Sequence, residues 1–367
     1  MTGFAKPKRT VLMTVDAVGG VWRYAMDLAA GLAATGLKTV FLGLGPRPSR
    51  DKYEEAERYG RLLWLDEPLD WLADERAISD VPEKIAHIAL EQKVDLLHLN
   101  LPTQAAGLKI DLPVLVVSHS CVPTWFQAVR KSAVPEDWLW HERLNRAGFA
   151  RADMVVAPSY SHAMALQRCY GEIGGLTVVK NASRQPLAHA DKTLFAMSAG
   201  RWWDEGKNGL VLDAAAALTE VPLVMVGDSQ GPNGQRCYLQ HAVDRGPRPH
   251  QDVIALMRDA AIFVSPSIYE PFGLAPLEAA RCGAALVLSD IPTYRELWSN
   301  AAIFVDPHDP EGFAKSINAL ASNPDRRAEL AKQAQERSRV FSLDAQADGM
   351  AHLYAVLCER TISTAAE

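Results

Sequence analysis

Short, uncharged apolar runs alternate along the chain with stretches whose apolar residues recur every three or four positions. The run "TVLMTV" (10–15) is continuous enough for a strand buried on both faces, and "VGG" (18–20) breaks it. Over 21–36, Val21, Tyr24, Ala25, Leu28 and Leu32 fall at helical spacing and Gly36 stops the run. Further strand-like runs lie at 38–45, 94–100, 112–120 and 152–159. Continuous apolar strands separated by helices predict a parallel sheet covered on both faces.

The pattern then restarts. "LFAMSAGR" (194–201) reads as a strand ending in a glycine turn, 210–218 as a helix, and 221–228, 260–267, 285–290 and 302–306 as strands. From Pro310 onward the chain is helical and charged. The segment between, 177–193, is polar, contains a proline and has no periodicity, which marks a domain boundary. The expectation is an α/β domain over 1–185, a second over 186–344, and a last helix of about 345–367 packing back on the first. Open α/β sheets collect ligands at the carboxyl ends of their strands. Two doubly wound domains facing across a cleft would line it with both sets of strand ends, and each motif below follows a strand.

Composition narrows the class. The 367 residues suit two cores better than one, and 48% hydrophobic with 22% charged residues is ordinary for a globular chain. A net charge of -6 argues against a general nucleic-acid binder while leaving room for a local phosphate pocket. The five cysteines (Cys121, Cys169, Cys237, Cys282, Cys358) include no Cys-x-x-Cys pair, so neither a disulfide framework nor a zinc site is expected. The basic start (Lys6, Lys8, Arg9) has no apolar signal core, and no run reaches the roughly 18 apolar residues of a spanning helix. These features predict a cytoplasmic protein, with room for peripheral contact at the inner face of a membrane.

The chemistry concentrates in "SPSIYEPFGLAPLEAARCGAALVLSD" (265–290). A strand ends near Ser265, a loop carries Glu270, Pro271, Phe272 and Gly273, and a helix runs from about Leu274 to Cys282. Loop amides and a helix N-terminus make an anion site, and Gly273 lets a ligand approach the backbone. Glu278, one turn inside the helix, can accept from a diol such as ribose. Glu270 lies ahead of the amides, where a sugar attached to the phosphate would sit. The alternative is a solvated helix residue and a helix cap. In "SAGRWWDEGKN" (198–208), Arg201 follows a strand and Lys207 comes at the start of a helix. A fixed Arg and Lys stabilise the charge that grows on a departing diphosphate. Arg holds two phosphate oxygens, whereas Lys is a point charge; a solvent-facing Lys207 is the alternative.

Other candidates lie in the first half. Gly19 and Gly20 stand between a strand and helix amides, where donor phosphates or an acceptor can be met, although a plain tight turn also fits. His119 ends the run 112–120 and can donate to a sugar hydroxyl or orient an acceptor. Trp125, Trp138 and Trp140 sit among Arg and Lys residues. They suit a sugar ring or a membrane interface, and equally a helix pair packed in the core. No Asp-x-Asp metal motif and no Gly-x-Gly-x-x-Gly dinucleotide fingerprint at this first loop is present, so no metal or nicotinamide cofactor is expected.

With Glu270-Pro-Phe-Gly-Leu-Ala-Pro-Leu-Glu278, the downstream "GAALVLSDIPTYREL" and "AAIFVDPHDPEGFA", and the first glycine loop and helix, the sequence resembles glycosyltransferase family 4. That resemblance implies a GT-B fold and retaining transfer of a hexosyl group from a nucleoside diphosphate sugar to a glycan, lipid-linked or small-molecule acceptor. It implies that Glu278 holds the donor ribose and that Glu270 contacts the transferred sugar with the amides of Phe272, Gly273 and Leu274. Arg201 and Lys207 would grip the diphosphate, their spacing one residue longer than the family's usual one, and His119 would line the sugar site. Ser159 and Asn181 are also family-like, with Ala182 where the usual pattern has glycine. The competing readings are a sugar-nucleotide-binding partner subunit without turnover, and a GT-B phosphorylase or epimerase.

Overall fold

Parallel pairing through both halves of the chain is the direct outcome of the buried apolar runs. The computed structural model describes residues 9–188, 191–232 and 234–364. Lys6 and Lys8 of the basic start, residues 189 and 190 of the boundary segment, and residues 365–367 of the expected last helix lie outside the described residues. The chain divides into two compact units. One comprises the chain up to Phe126, Ser132–Ala182 and the chain from Leu343 onward; the other comprises Gln127–Lys131 and Ser183–Ser342.

The first unit runs β1 (Thr10–Asp16), α1 (Gly20–Ala33), β2 (Lys38–Leu44), α2 (Arg50–Glu57), β3 (Gly60–Trp64), α3 (Val81–Glu91), β4 (Leu96–Leu99), β5 (Val114–Val117), α4 (Val122–Trp125), α5 (Leu139–Arg151), β6 (Met154–Ala157), α6 (Tyr160–Tyr170) and β7 (Leu176–Val178). Among the described residues its sheet has seven strands in the order β3-β2-β1-β4-β5-β6-β7, paired in parallel. The chain starts in the middle at β1, winds out to β3, and returns beside β1 as β4. Strand order therefore reverses between β1 and β4, which is where an open α/β sheet opens a ligand crevice.

The second unit repeats the plan with β8 (Thr193–Ala199), α7 (Gly209–Ala216), β9 (Leu223–Val226), β10 (Val243–Asp244), α8 (His250–Asp259), β11 (Ala260–Ser265), α9 (Leu274–Arg281), β12 (Ala285–Ser289), α10 (Pro292–Trp298), β13 (Ile303–Val305), α11 (Pro310–Ser322) and α12 (Pro324–Ser338). Its sheet runs β10-β9-β8-β11-β12-β13, again in parallel, and reverses between β8 and β11. The last helix, α13 (Leu343–Thr364), belongs to the first unit. Its Ala347, Met350, Tyr354 and Leu357 are buried in the same core as Tyr24, Ala25, Leu28 and Leu32 of α1. Gly31 permits that approach, since a Cβ there would stand 2.8 Å from the Cβ of Ala347.

Some local expectations change. The region after β5 is helical in two parts: α4 runs without a break into a π-turn over Phe126–Arg130, and the longer α5 follows. Pro123 sits in the first turn of α4, where its missing N–H has no partner to lose, and Pro135 stands between the two helical parts, where a helix cannot run through it. Lys207 does not start a helix. It closes a 3-10 turn, Glu205–Lys207, and the left-handed Asn208 (φ 59°) separates that turn from α7. Among the described residues no helix is long and apolar enough to cross a membrane.

Candidate active site

In the second unit the loops after β8 and β11, the two strands at the reversal, come together through the backbone. The Ile268 amide donates to the Gly206 carbonyl at 2.9 Å, so the β11 loop is tied to the 3-10 turn. Asn208 adds a second tie, its Nδ2 donating to the carbonyls of Pro266 (2.9 Å) and Pro307 (2.6 Å). The left-handed conformation that Asn tolerates aims its side chain there. These ties set Lys207 against Glu270, with Nζ donating to Oε2 at 2.5 Å, and both side chains are largely shielded from solvent. An ammonium has three donors, so this bond leaves two for other oxygens.

Arg201 lies two residues past β8. Its guanidinium lies over the Trp203 ring at 5.3 Å and makes a long 3.5 Å contact to Asp204. The side chain is 37% exposed. Trp202, by contrast, is buried in the core of this unit, so of the two tryptophans it is Trp203 that flanks the arginine. The loop after β9 presses on the loop after β8. Gly227 (φ +134°) makes that possible, because a Cβ there would stand 1.8 Å from the Gly200 carbonyl oxygen.

The helix start at α9 matches the anion-site geometry. Gly273 is its left-handed N-cap (φ 92°), and a Cβ on it would meet the Tyr294 ring at 3.0 Å and the Glu270 Cγ at 3.3 Å. Among the described residues nothing accepts from the amides of Phe272, Gly273 and Leu274. The Phe272 side chain is buried and packs edge-on against Phe341, so only its backbone faces the loop. Glu278 is no solvated helix residue. Its side chain is 7% exposed and its Oε1 pairs with His250 Nε2 at 2.8 Å. His250 begins α8, 28 residues earlier, and nothing in its sequence context singled it out.

The first unit has its own set at the β1/β4 reversal. Asp16 ends β1, and its Oδ1 accepts from the amides of Val18 (2.9 Å) and Gly19 (3.3 Å). In the structure the Gly19 amide is bonded within the loop to Asp16, and the Lys52 ammonium of α2 stands at the same loop, donating to the Ala17 carbonyl at 2.5 Å. Gly20 opens α1. Asn100, just past β4, donates from Nδ2 to the Thr14 carbonyl at 2.5 Å and from its amide to Thr14 Oγ1 at 2.8 Å. Its Oδ1 lies 2.9 Å from His119 Nε2 and 3.1 Å from His98 Nε2. His119 is half-buried with its ring edge-on to Tyr24, 4.3 Å between centroids. Burial, followed by the neighbouring His98 and His162, pushes its pKa down to about 3. Burial, opposed by the hydrogen bond with Asn100, lowers the His98 pKa to about 3.

The aromatic candidates form a half-buried string rather than an open platform. Trp125 packs edge-on to Phe126 (5.2 Å), Phe126 lies 6.3 Å from Trp138, and His141 is stacked by Trp138 (5.2 Å) and Trp140 (3.6 Å). Trp140 also packs against a core of the unit. Ser159 is a helix cap, its Oγ accepting from the His162 amide at 3.0 Å. Neither Asn181 nor Ala182 takes a positive φ, so this chain makes no left-handed turn where the family's glycine would stand. Among the described residues no group of three His, Cys, Asp or Glu side chains is placed to hold a metal ion.

The family described as Glycosyltransferase Family 4 matches residues 18–182, and that described as Glycosyl transferases group 1 matches residues 179–337. The chain belongs to glycosyltransferase family 4. It is 26% identical to a glycogen synthase of Mycobacterium tuberculosis over 86% of each chain. It is also similar to the D-inositol 3-phosphate glycosyltransferase of Salinispora tropica, 34% identical over a stretch covering 29% of this chain and 23% of that one. Among solved structures, sucrose-phosphate synthase from Thermosynechococcus elongatus superposes with a TM-score of 0.81 at 19% identity, over 95% of this chain and 99% of that one. HepE from Anabaena, in complex with UDP-glucose, superposes with a TM-score of 0.76 at 17% identity, over 95% of this chain and all of that one. These likenesses show the GT-B fold, two parallel-sheet α/β domains.

Proposed function

We propose that this glycosyltransferase moves a hexosyl group from a nucleoside diphosphate sugar to a carbohydrate or lipid-linked acceptor hydroxyl, without a metal and with retention of anomeric configuration. The observation that carries the reading is the Lys207–Glu270 pair beside the free amides of Phe272, Gly273 and Leu274, with the shielded Glu278 carboxylate one turn further into α9. Cation, amide cradle and diol-binding carboxylate meet the diphosphate, the sugar and the ribose of one ligand.

In this reading Glu278 accepts from the ribose hydroxyls and Glu270 from a hydroxyl of the transferred sugar. Arg201 and the two remaining donors of Lys207 hold the diphosphate oxygens. In the first unit His119 meets a sugar hydroxyl, and the uncharged surroundings of its ring suit that better than a phosphate. An acceptor hydroxyl oxygen attacks the anomeric carbon on the face from which the diphosphate leaves. The bond from anomeric carbon to phosphate oxygen breaks, its electron pair stays on the diphosphate, and the acceptor proton passes to that oxygen. Arg201 and Lys207 act because negative charge on the leaving group grows toward the transition state. The Asp-x-Asp-free sequence supports cationic side chains in the role a metal would otherwise fill.

A thermal-shift screen of UDP, GDP, ADP, TDP and their common sugar conjugates, without and with magnesium, tests this. Ligand at 100 times its dissociation constant stabilises by about 2.7 kcal/mol, a visible shift. One nucleotide should shift the wild type without magnesium and leave Glu278→Ala and Arg201→Ala unmoved. Stabilisation by inorganic phosphate or a sugar phosphate, and by no nucleotide, would move the assignment to a phosphorylase.

A further inference from the structure

The polar chain behind His119 determines which hydrogen bond that ring can offer. Asn100 Nδ2 is fixed by its 2.5 Å bond to the Thr14 carbonyl, because a carbonyl only accepts. The other end of the carboxamide, Oδ1, therefore faces both imidazoles and only accepts from them. His98 and His119 must each present an Nε2–H to it. For His98 the remaining nitrogen is already used: Nδ1 lies 2.6 Å from the hydroxyl of Tyr354 on α13, which donates to it. For His119 no described residue partners Nδ1, and the ring is half-buried rather than sealed.

Resting on the reading that His119 meets a sugar hydroxyl, we propose that Asn100 is a positioning residue that holds His119 as its Nε2–H tautomer and so commits Nδ1 to accept a hydrogen bond from a substrate hydroxyl. The ring then recognises an O–H and rejects groups that only accept, such as a phosphate oxygen or a carbonyl. Two further groups maintain the arrangement. Tyr354 keeps His98 in the matching tautomer, and Tyr24, edge-on to the His119 ring, places a phenol 3.4 Å from His98 Nε2. The ionisable groups that face His119 are thus Tyr24 from α1, His98 from β4 and His162 from α6. Burial and the two histidines disfavour an imidazolium, so the accepting lone pair persists well below neutral pH.

The test is direct. The full chain, labelled with 15N at its ten histidines, is examined by long-range 15N–1H correlation from pH 8 to pH 5, with His98→Gln and His119→Gln assigning the signals. His119 should be a neutral Nε2–H tautomer throughout. An Nδ1–H tautomer, or an imidazolium at pH 7, overturns the proposal. Asn100→Asp then places a carboxylate where Oδ1 stood, which favours a charged ring carrying an Nδ1–H. Turnover of the nucleotide sugars in the thermal-shift panel should fall about three- to tenfold at pH 6. It should recover at higher pH, with KM for the donor little changed, while the wild type stays flat. A pH-independent loss in Asn100→Asp would mean a merely structural residue and would also overturn the proposal. If that variant does not fold, the wild-type tautomer decides alone. The underlying reading fails separately, if the tautomer is as expected but His119→Ala turns over donor at the wild-type rate.

Discussion

Lys207 and Glu270 are shielded to 22% and 14% exposure, and each is the other's main compensation. Removing one partner of such a pair leaves a desolvated charge, which costs more than the pair contributes. Lys207→Met should therefore destabilise the second unit by about 1–3 kcal/mol in thermal or denaturant unfolding. Adding Glu270→Gln should return most of that stability, because the stranded carboxylate is gone. Neither variant should turn over a nucleotide sugar. If Lys207→Met unfolds like the wild type, solvent already reaches the pair and its placement here is wrong. His250 shows what residue-level reading of the sequence could not reach. It joins Glu278 only through the path of α8 over the sheet, and no spacing rule links residues 28 positions apart on different helices. Asn100 was likewise legible as the end of an apolar run and not as the group that orients two imidazoles. The Glu270 to Glu278 segment was legible because loop, cap and helix are contiguous, so one stretch of sequence encodes the whole geometry.

At the scale of elements, the strands that could be read were those buried on both faces. β1, β5, β11 and β12 are almost wholly shielded and appear as unbroken apolar runs. β3, β7 and β10 lie at sheet edges, are half-buried or exposed, and leave no such run. The tryptophan-rich stretch does form two helical parts, α4 with its π-turn and then α5, with Pro135 between them. The seam between α1 and α13 rests on one small residue. Gly31→Val would drive its side chain into Ala347 and the Leu343 carbonyl. Overpacking of this kind costs about 1–3 kcal/mol. The variant should lower the melting temperature of the first unit while leaving nucleotide binding by the second unchanged. Unaltered stability would mean that α13 does not pack where the core residues Met350 and Tyr354 place it.

At the scale of the molecule, each unit carries its polar residues at the reversal of its own sheet, between β1 and β4 and between β8 and β11. The division of labour we propose rests on what stands there. The second unit presents two cations and unoccupied amides, the chemistry of a diphosphate. The first presents a loop whose Val18 and Gly19 amides bond to Asp16, with Lys52 beside it, and a histidine held by Asn100, to which we assign a hydroxyl. The most direct measurement of this account is release of nucleoside diphosphate from a panel of nucleotide sugars in magnesium-free buffer, with water as the fallback acceptor. One donor should be consumed to its diphosphate and free or transferred sugar, at a rate lost in Lys207→Met and Arg201→Ala. A chain that leaves every nucleotide sugar intact, yet releases sugar phosphate from a glycan in the presence of inorganic phosphate, would contradict it.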